Sequence, residues 1–176
     1  MKMKTIMKTH SGFTLIEVLI AVVLLAGALL GLAGLQARVL SNNQSAYNRS
    51  QATQLAYDIA DRMRANTNSS VAANNNDALV IYTTFLPSTG IQKPNCLTTT
   101  GCSQVDMANN DLFEWNLALA TLPNGQGLVC KDSTPKDGTS TAASACDGAG
   151  ADYHIKIWWD DDKSGTNQLF VVGFKL

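Results

Sequence analysis

The stretch Ser11–Ala26, SGFTLIEVLIAVVLLA, sets one carboxylate, Glu17, near the start of an apolar run that continues to Leu35. From Phe13 to Leu35 the chain runs 23 residues with that one charge and one hydroxyl. As a helix this is roughly 34 Å at about 1.5 Å per residue, enough to span a bilayer core. Lys2, Lys4 and Lys8 precede the run and Arg38 follows it, which orients the N-terminus toward the cytoplasm and the bulk of the chain outside. A secretory signal peptide is the competing reading, but a typical apolar region there has only about 7 to 15 residues. The segment GLAGLQA (Gly31–Ala37) is also a poor substitute for a small-residue cleavage site. An acidic residue at the centre of a membrane helix costs roughly 2.5 to 3.5 kcal/mol. Glu17 therefore either has a partner in the membrane or reaches up to the headgroups.

The 176 residues suit one ordinary domain plus one extra element, with a net charge of −1. Without the lysines of the basic head, ten basic side chains face fourteen acidic ones, a net charge of −4. Such a balance argues against a broad nucleic-acid surface. Cys96, Cys102, Cys130 and Cys146 all follow the apolar run, in the part expected outside the cytoplasm, where an even count suggests disulfides. Their spacing does not match paired zinc knuckles, and His154 stands alone, so no metal or cofactor is expected. Four cysteines allow three pairings. Cys96 with Cys102 and Cys130 with Cys146 are favoured because each pair closes a local polar loop. The shorter loop would restrict the unfolded chain by about 2 to 2.5 kcal/mol on a chain-entropy account.

No proline occurs between Phe13 and Met63, so one helix of roughly 80 Å is expected to about Asn66, where Ala65–Ser70 (ANTNSS) stops it. In its second half Ala52, Leu55, Ala56, Ile59, Ala60 and Met63 recur at three- and four-residue steps, opposite Arg49, Asp58, Asp61 and Arg62. Gly27, Gly31 and Gly34 form a small-residue face. It suits close helix approach in lipid or local unwinding in an assembly, and glycine is in any case common in membrane helices.

Beyond the helix, Ala78–Leu86 reads as a short strand or packed loop. A second helix follows, with Ser103 and Asp106 as a capping pair, Leu112, Trp115, Leu119 and Leu122 on one face, and Pro123-Asn124-Gly125 as its end. Strands are expected around Gly127–Lys131, in ADYHIKIWW, and in QLFVVGFKL. Tyr153, Ile155, Ile157 and Trp159 alternate with His154, Lys156 and Trp158, and Phe170, Val172, Phe174 and Leu176 share a side. The antiparallel meander needs a cover, which the amphipathic half-helix supplies, giving an α+β fold. Asp160, Asp162, Ser164 and Gly165 imitate the start of a calcium loop, but Val171 stands where its final glutamate belongs, and a solvated turn is the plainer reading. Trp158, on the face away from the core, is either an interaction candidate or a side chain covered by the loops.

The basic Met1–Gly12 followed by G-F-T-L-I-E at Gly12–Glu17 resembles the leader and recognition motif of type IV prepilins. The resemblance implies a pilin-like fold and cleavage between Gly12 and Phe13 by prepilin peptidase. It also implies N-methylation of Phe13, and a Glu17 that neutralises the terminal amine of a neighbouring subunit. The protein is then a substrate and not an enzyme. Four segments follow: leader 1–12, transmembrane half 13–35, amphipathic half 36–66 and exported head 67–176. Leu55–Asn66 (LAYDIADRMRAN), with Cys96, Cys102, Asp111-Leu112, Glu114-Trp115, Leu122-Pro123 and Gly125, resembles PilV-type minor pilins. The loops 66–76 and 131–145 lie outside that resemblance. Implied partners are other minor pilins, the major pilin, the inner-membrane assembly platform and the lipid bilayer. The implied location is the inner membrane, with the head periplasmic, and then the pilus. A minor pseudopilin of type II secretion shares the same N-terminus. A membrane-anchored enzyme or binding protein would need a constellation of site residues that the chain lacks.

Overall fold

The computed structural model describes residues 12–66, 77–84 and 86–176. Most of the basic leader and the polar loop 67–76 lie outside the described residues. Helix α1 (Leu15–Asn66) is continuous over 52 residues. The chain forms two compact units, residues 1–43 and 44–176. In the first unit every described side chain is exposed. Its helical residues are long and apolar enough to cross a membrane.

The second unit contains the rest of α1, helix α2 (Asp77–Thr84), helix α3 (Gln104–Leu119) and strands β1 (Gln126–Lys131), β2 (Tyr153–Trp159) and β3 (Gln168–Phe174). The strands form an antiparallel meander in the order β1-β2-β3. Its register sets Val129 beside Ile155 and Ile155 beside Val172, and likewise Gly127, Ile157 and Phe170. These side chains face one way and meet Ala52, Ala56, Ile59 and Met63 of α1 and Leu112, Trp115 and Leu119 of α3 in one core. The fold is thus a long N-terminal helix packed on a three-stranded antiparallel sheet, pilin-like α+β.

Local chemistry explains the boundaries of α3. The Ser103 side chain accepts from the Asp106 amide at 3.1 Å, capping the N-terminus. The chain then reverses through Asn124, whose φ of 51° lies in the left-handed region. Gly125 presses so close to α3 that a Cβ there would stand 2.0 Å from the Leu119 carbonyl oxygen.

Three expectations need correction. Ala78–Leu86 is not a strand: Asp77–Thr84 is helix α2, with Tyr82 fully buried. So short an apolar run carries no decisive period, and the burial of Tyr82 against α1 and α3 settles it. Trp158 is not a free surface: it is 0% exposed, clustered with Leu128 and Cys130, and its indole N–H donates to the Gly138 carbonyl at 3.2 Å. Lys156, which alternation turns outward, is buried as well. The burial of Trp158 and of Lys156 follows from chain crossing the outer face of the sheet after β1. Bonds from Asn167 Nδ2 to Thr139 O (2.9 Å) and from Gly148 N to Lys131 O (3.0 Å) pin that crossing segment. Leu176 lies past the end of β3 and is exposed.

Disulfides join Cys96 to Cys102 and Cys130 to Cys146, with Cα separations of 4.8 and 6.3 Å. In the β2–β3 turn Asp160 accepts from the amides of Ser164 (3.2 Å) and Gly165 (2.9 Å), and Asp162 accepts from Ser164 (3.1 Å). These carboxylates are engaged by the turn's own backbone.

Gly125→Ala should lower the stability of the head by about 1 to 3 kcal/mol, the usual cost of overpacking against backbone that has nowhere to move. Urea denaturation measures it, and an unchanged midpoint would show that this turn relaxes freely.

Candidate functional site

Gly12, Phe13 and Thr14 precede α1, so the peptide bond between Gly12 and Phe13 lies in non-helical chain. Thr14 starts the helix: its hydroxyl accepts from the Glu17 amide at 3.4 Å, and its carbonyl accepts from Glu17 (3.1 Å) and Val18 (3.3 Å). Thr14 and Glu17 thus stand at the first and fourth positions of a capping box, a role for Thr14 that hydropathy alone misses. Phe13 is 84% exposed, and the Glu17 side chain is also exposed. A Cβ on Gly12, Gly27, Gly31 or Gly34 would meet nothing within 4 Å. Among the described residues no contact requires glycine at these positions.

In the head unit, polar contacts fix where α1 docks. Arg62, which the helical stripe assigns to the solvent side, reaches across to α3 and bonds Glu114 (2.7 Å) and Asp111 (3.1 Å), as well as Asp58 one turn back (3.0 Å). Asp111 also accepts from the Tyr82 hydroxyl, so one carboxylate ties together three helices. Asn66 completes the cluster with bonds to the Tyr82 hydroxyl (3.3 Å) and the Gln104 carbonyl (2.8 Å). The Trp115 indole donates to the Leu55 carbonyl at 2.9 Å. At the other end of the docked segment, Asp161 accepts from Ser45 (2.6 Å) and Asn48 (2.8 Å) of α1. It accepts from the Trp159 indole too. Asp161 carried no signal in the sequence, because its partners on α1 are more than a hundred residues away.

The acids in these contacts titrate differently. Burial pushes the Asp111 carboxyl up, outweighing the bonds from Tyr82 and Arg62. Burial, followed by the adjacent Asp111, pushes the Tyr82 phenol up. The bond from Arg62 holds Glu114 below its ordinary value of 4.5, against partial burial. Burial opposes the charge on Asp161, but Asn48, Ser45 and Trp159 together hold it low.

These contacts hold a helix and contain no arrangement for turning over a substrate. Two family models match adjoining parts of the chain. The prokaryotic N-terminal methylation motif matches residues 7–33, and the model described as type IV pilin Tt1218 matches residues 34–113. The chain belongs to the type IV pilin family. Pilins of this family are structural, non-enzymatic proteins. The methylation motif implies processing by prepilin peptidase, and with the apolar helix it fits a membrane-anchored pilin. Searches of curated proteins and of solved structures return no match. The second match ends at residue 113, within α3 and just past Asp111, so it takes in most of the Arg62 cluster.

The two α3 carboxylates on Arg62 should give opposite pH effects. Glu114 is depressed, so its contribution to stability is present above about 4.5 and is lost as pH falls through the lower folded value. Asp111 is raised, so its contribution is present below its ordinary value of 3.8 and is lost as pH rises through the higher folded one. Urea midpoints taken from neutral pH down to about pH 3 should therefore fall less in Glu114→Gln than in wild type, and more in Asp111→Asn. Parallel profiles for all three proteins would rule this assignment out.

Proposed function

We propose that the protein is a minor pilin that takes part in initiating or assembling a type IV pilus, and through it in motility, adhesion or DNA uptake. Prepilin peptidase cuts after Gly12 and methylates Phe13, leaving the helix as a membrane anchor with the head in the periplasm. The head then enters the filament by contacts with other minor pilins, the major pilin and the assembly platform. The observation that carries the minor-pilin reading is the convergence of the residues that resemble PilV-type proteins. Arg62 and Asn66 from the end of α1 meet Asp111 and Glu114 of α3 through direct hydrogen bonds or the shared Tyr82 hydroxyl, and Trp115 of α3 bonds the Leu55 carbonyl of α1, so much of the sequence pattern lies where these two helices meet. The open glycines support the assembly role: with nothing among the described residues for a Cβ to meet, Gly12 suits a peptidase, and Gly27 and Gly31 suit another helix.

Glu17 is assigned the terminal amine of a neighbouring Phe13. A carboxylate and an amine in lipid attract strongly but must offset desolvation, so the pair selects the register of assembly more surely than it adds stability. A minor pseudopilin of type II secretion would use the same N-terminus, and a deletion strain separates the two. Loss of surface pili with secretion intact is expected; loss of secretion with normal pili would replace the pilus reading. Mass spectrometry of the mature protein should find it beginning at N-methylated Phe13, and an uncut leader in wild-type cells would contradict the proposed processing.

A further inference from the structure

Beneath the segment that crosses the outer face of the sheet, Lys156 and Asp132 form an ion pair in which both side chains are 0% exposed. An ammonium carries three hydrogens. Lys156 Nζ already donates to Ser144 O (2.8 Å), Asp137 Oδ1 (2.9 Å) and Asp137 O (3.2 Å). Asp132 Oδ2 lies against the same nitrogen yet makes no hydrogen bond. Four oxygens thus crowd one ammonium that has three hydrogens, and Asp132 Oδ2 is held by contact without a hydrogen bond, a costly arrangement for a buried ion pair. It is a suitable one for bond formation, because the nitrogen stands at the carboxyl group itself.

The neighbours have the groups such a reaction needs. The Thr134 amide donates to Asp132 Oδ1 at 2.9 Å, where negative charge would develop if the carboxyl carbon were attacked. Asp137 receives a hydrogen from Nζ on one oxygen, and its other oxygen is held by the Thr134 hydroxyl at 2.9 Å. The Asp137 side chain is 43% exposed, so it joins the buried pair to solvent. The Cys130–Cys146 disulfide spans the segment that bears Asp132, Asp137 and Ser144.

We propose that Lys156 and Asp132 form an intramolecular isopeptide bond in the folded head. One ammonium proton passes to Asp132 Oδ2, leaving a neutral amine and a carboxylic acid. The amine lone pair attacks Cγ, and the carbonyl electron pair moves to Oδ1 beside the Thr134 amide. Asp137 takes a proton from the new C–N nitrogen and returns it to the departing hydroxyl as the Cγ–Oδ2 bond breaks. The products are one amide and one water, with no oxidant and no net change in charge. The event happens once per chain and has no turnover, so the protein stays a structural one. The bond ties the end of β1 to the middle of β2 and removes a buried ion pair. It also keeps the outer segment in place when the disulfide is reduced.

The test is the mass of the purified mature protein after reduction and unfolding. The proposal requires a deficit of one water relative to the linear chain. It also requires a tryptic peptide 137–163, uncut at Lys156, that carries residues 132–136 as a branch. A full linear mass with Lys156 cleaved normally overturns the proposal. So does a water deficit without the branched peptide, because a cyclic imide at Asp132 would produce that. Lys156→Arg should restore the linear mass. Asp132→Asn should give the same branched peptide with loss of ammonia instead of water. Asp137→Ala should leave mostly linear chain, and complete cross-linking in that variant would contradict the role given to Asp137. The wild-type mass alone decides whether the bond exists, whether or not a variant folds.

Discussion

The head depends on the burial of one stripe of α1. Ala52, Ala56, Ile59, Ala60 and Met63 are at most 1% exposed, and they cover the face of the sheet that Val129, Ile155 and Ile157 present. Burying a side chain the size of Ile59 or Met63 stabilises the fold by roughly 1.5 to 3 kcal/mol each, and the alanines let the helix approach closely. Apolar burial has no direction, however, and would tolerate sliding by a turn. The polar contacts remove that freedom: Asp161 holds Ser45 and Asn48 at one end, and Asp111 and Glu114 hold Arg62 at the other. Position along the helix is thus fixed by hydrogen bonds, while adhesion comes from the stripe.

The same helix serves a second environment earlier in its length. Up to Leu35 its side chains are apolar and exposed, with Glu17 the sole charge, and a Cβ on its glycines would meet nothing among the described residues. A residue that costs energy in lipid and has no partner among the described residues of its own chain fits the pairing with a neighbouring subunit proposed above. Thr14 adds a simpler requirement, a cap for the first turn of that helix.

Much of this was legible in the sequence because it depends on local pattern. The apolar run, the stripe of α1, the Ser103 cap, the Pro123–Gly125 stop and the alternation in β2 are all read within one or two turns of chain. What escaped depends on contacts remote in sequence. Ala78–Leu86 was too short to show a period, and Tyr82 makes it helical by docking between α1 and α3. Lys156 and Trp158 alternate onto the outer face of the sheet, and alternation cannot reveal that another segment covers that face. Arg62 sits on the polar side of its helix, yet at its edge, where a long side chain reaches α3. The two α3 carboxylates that Arg62 holds are visible as part of a resemblance, but their partner emerges only in three dimensions.

The central claim is that the carboxylate in the membrane helix exists for assembly. It is tested most directly by comparing where the processed protein resides when Glu17 is replaced by its neutral isostere. With wild-type and Glu17→Gln protein expressed equally, quantitative mass spectrometry of sheared surface filaments and of the inner membrane gives the share in each. The account predicts that both are cleaved and anchored, that the wild-type protein enters the filaments, and that Glu17→Gln stays in the membrane. Equal shares of the two proteins in the filament fraction would contradict it.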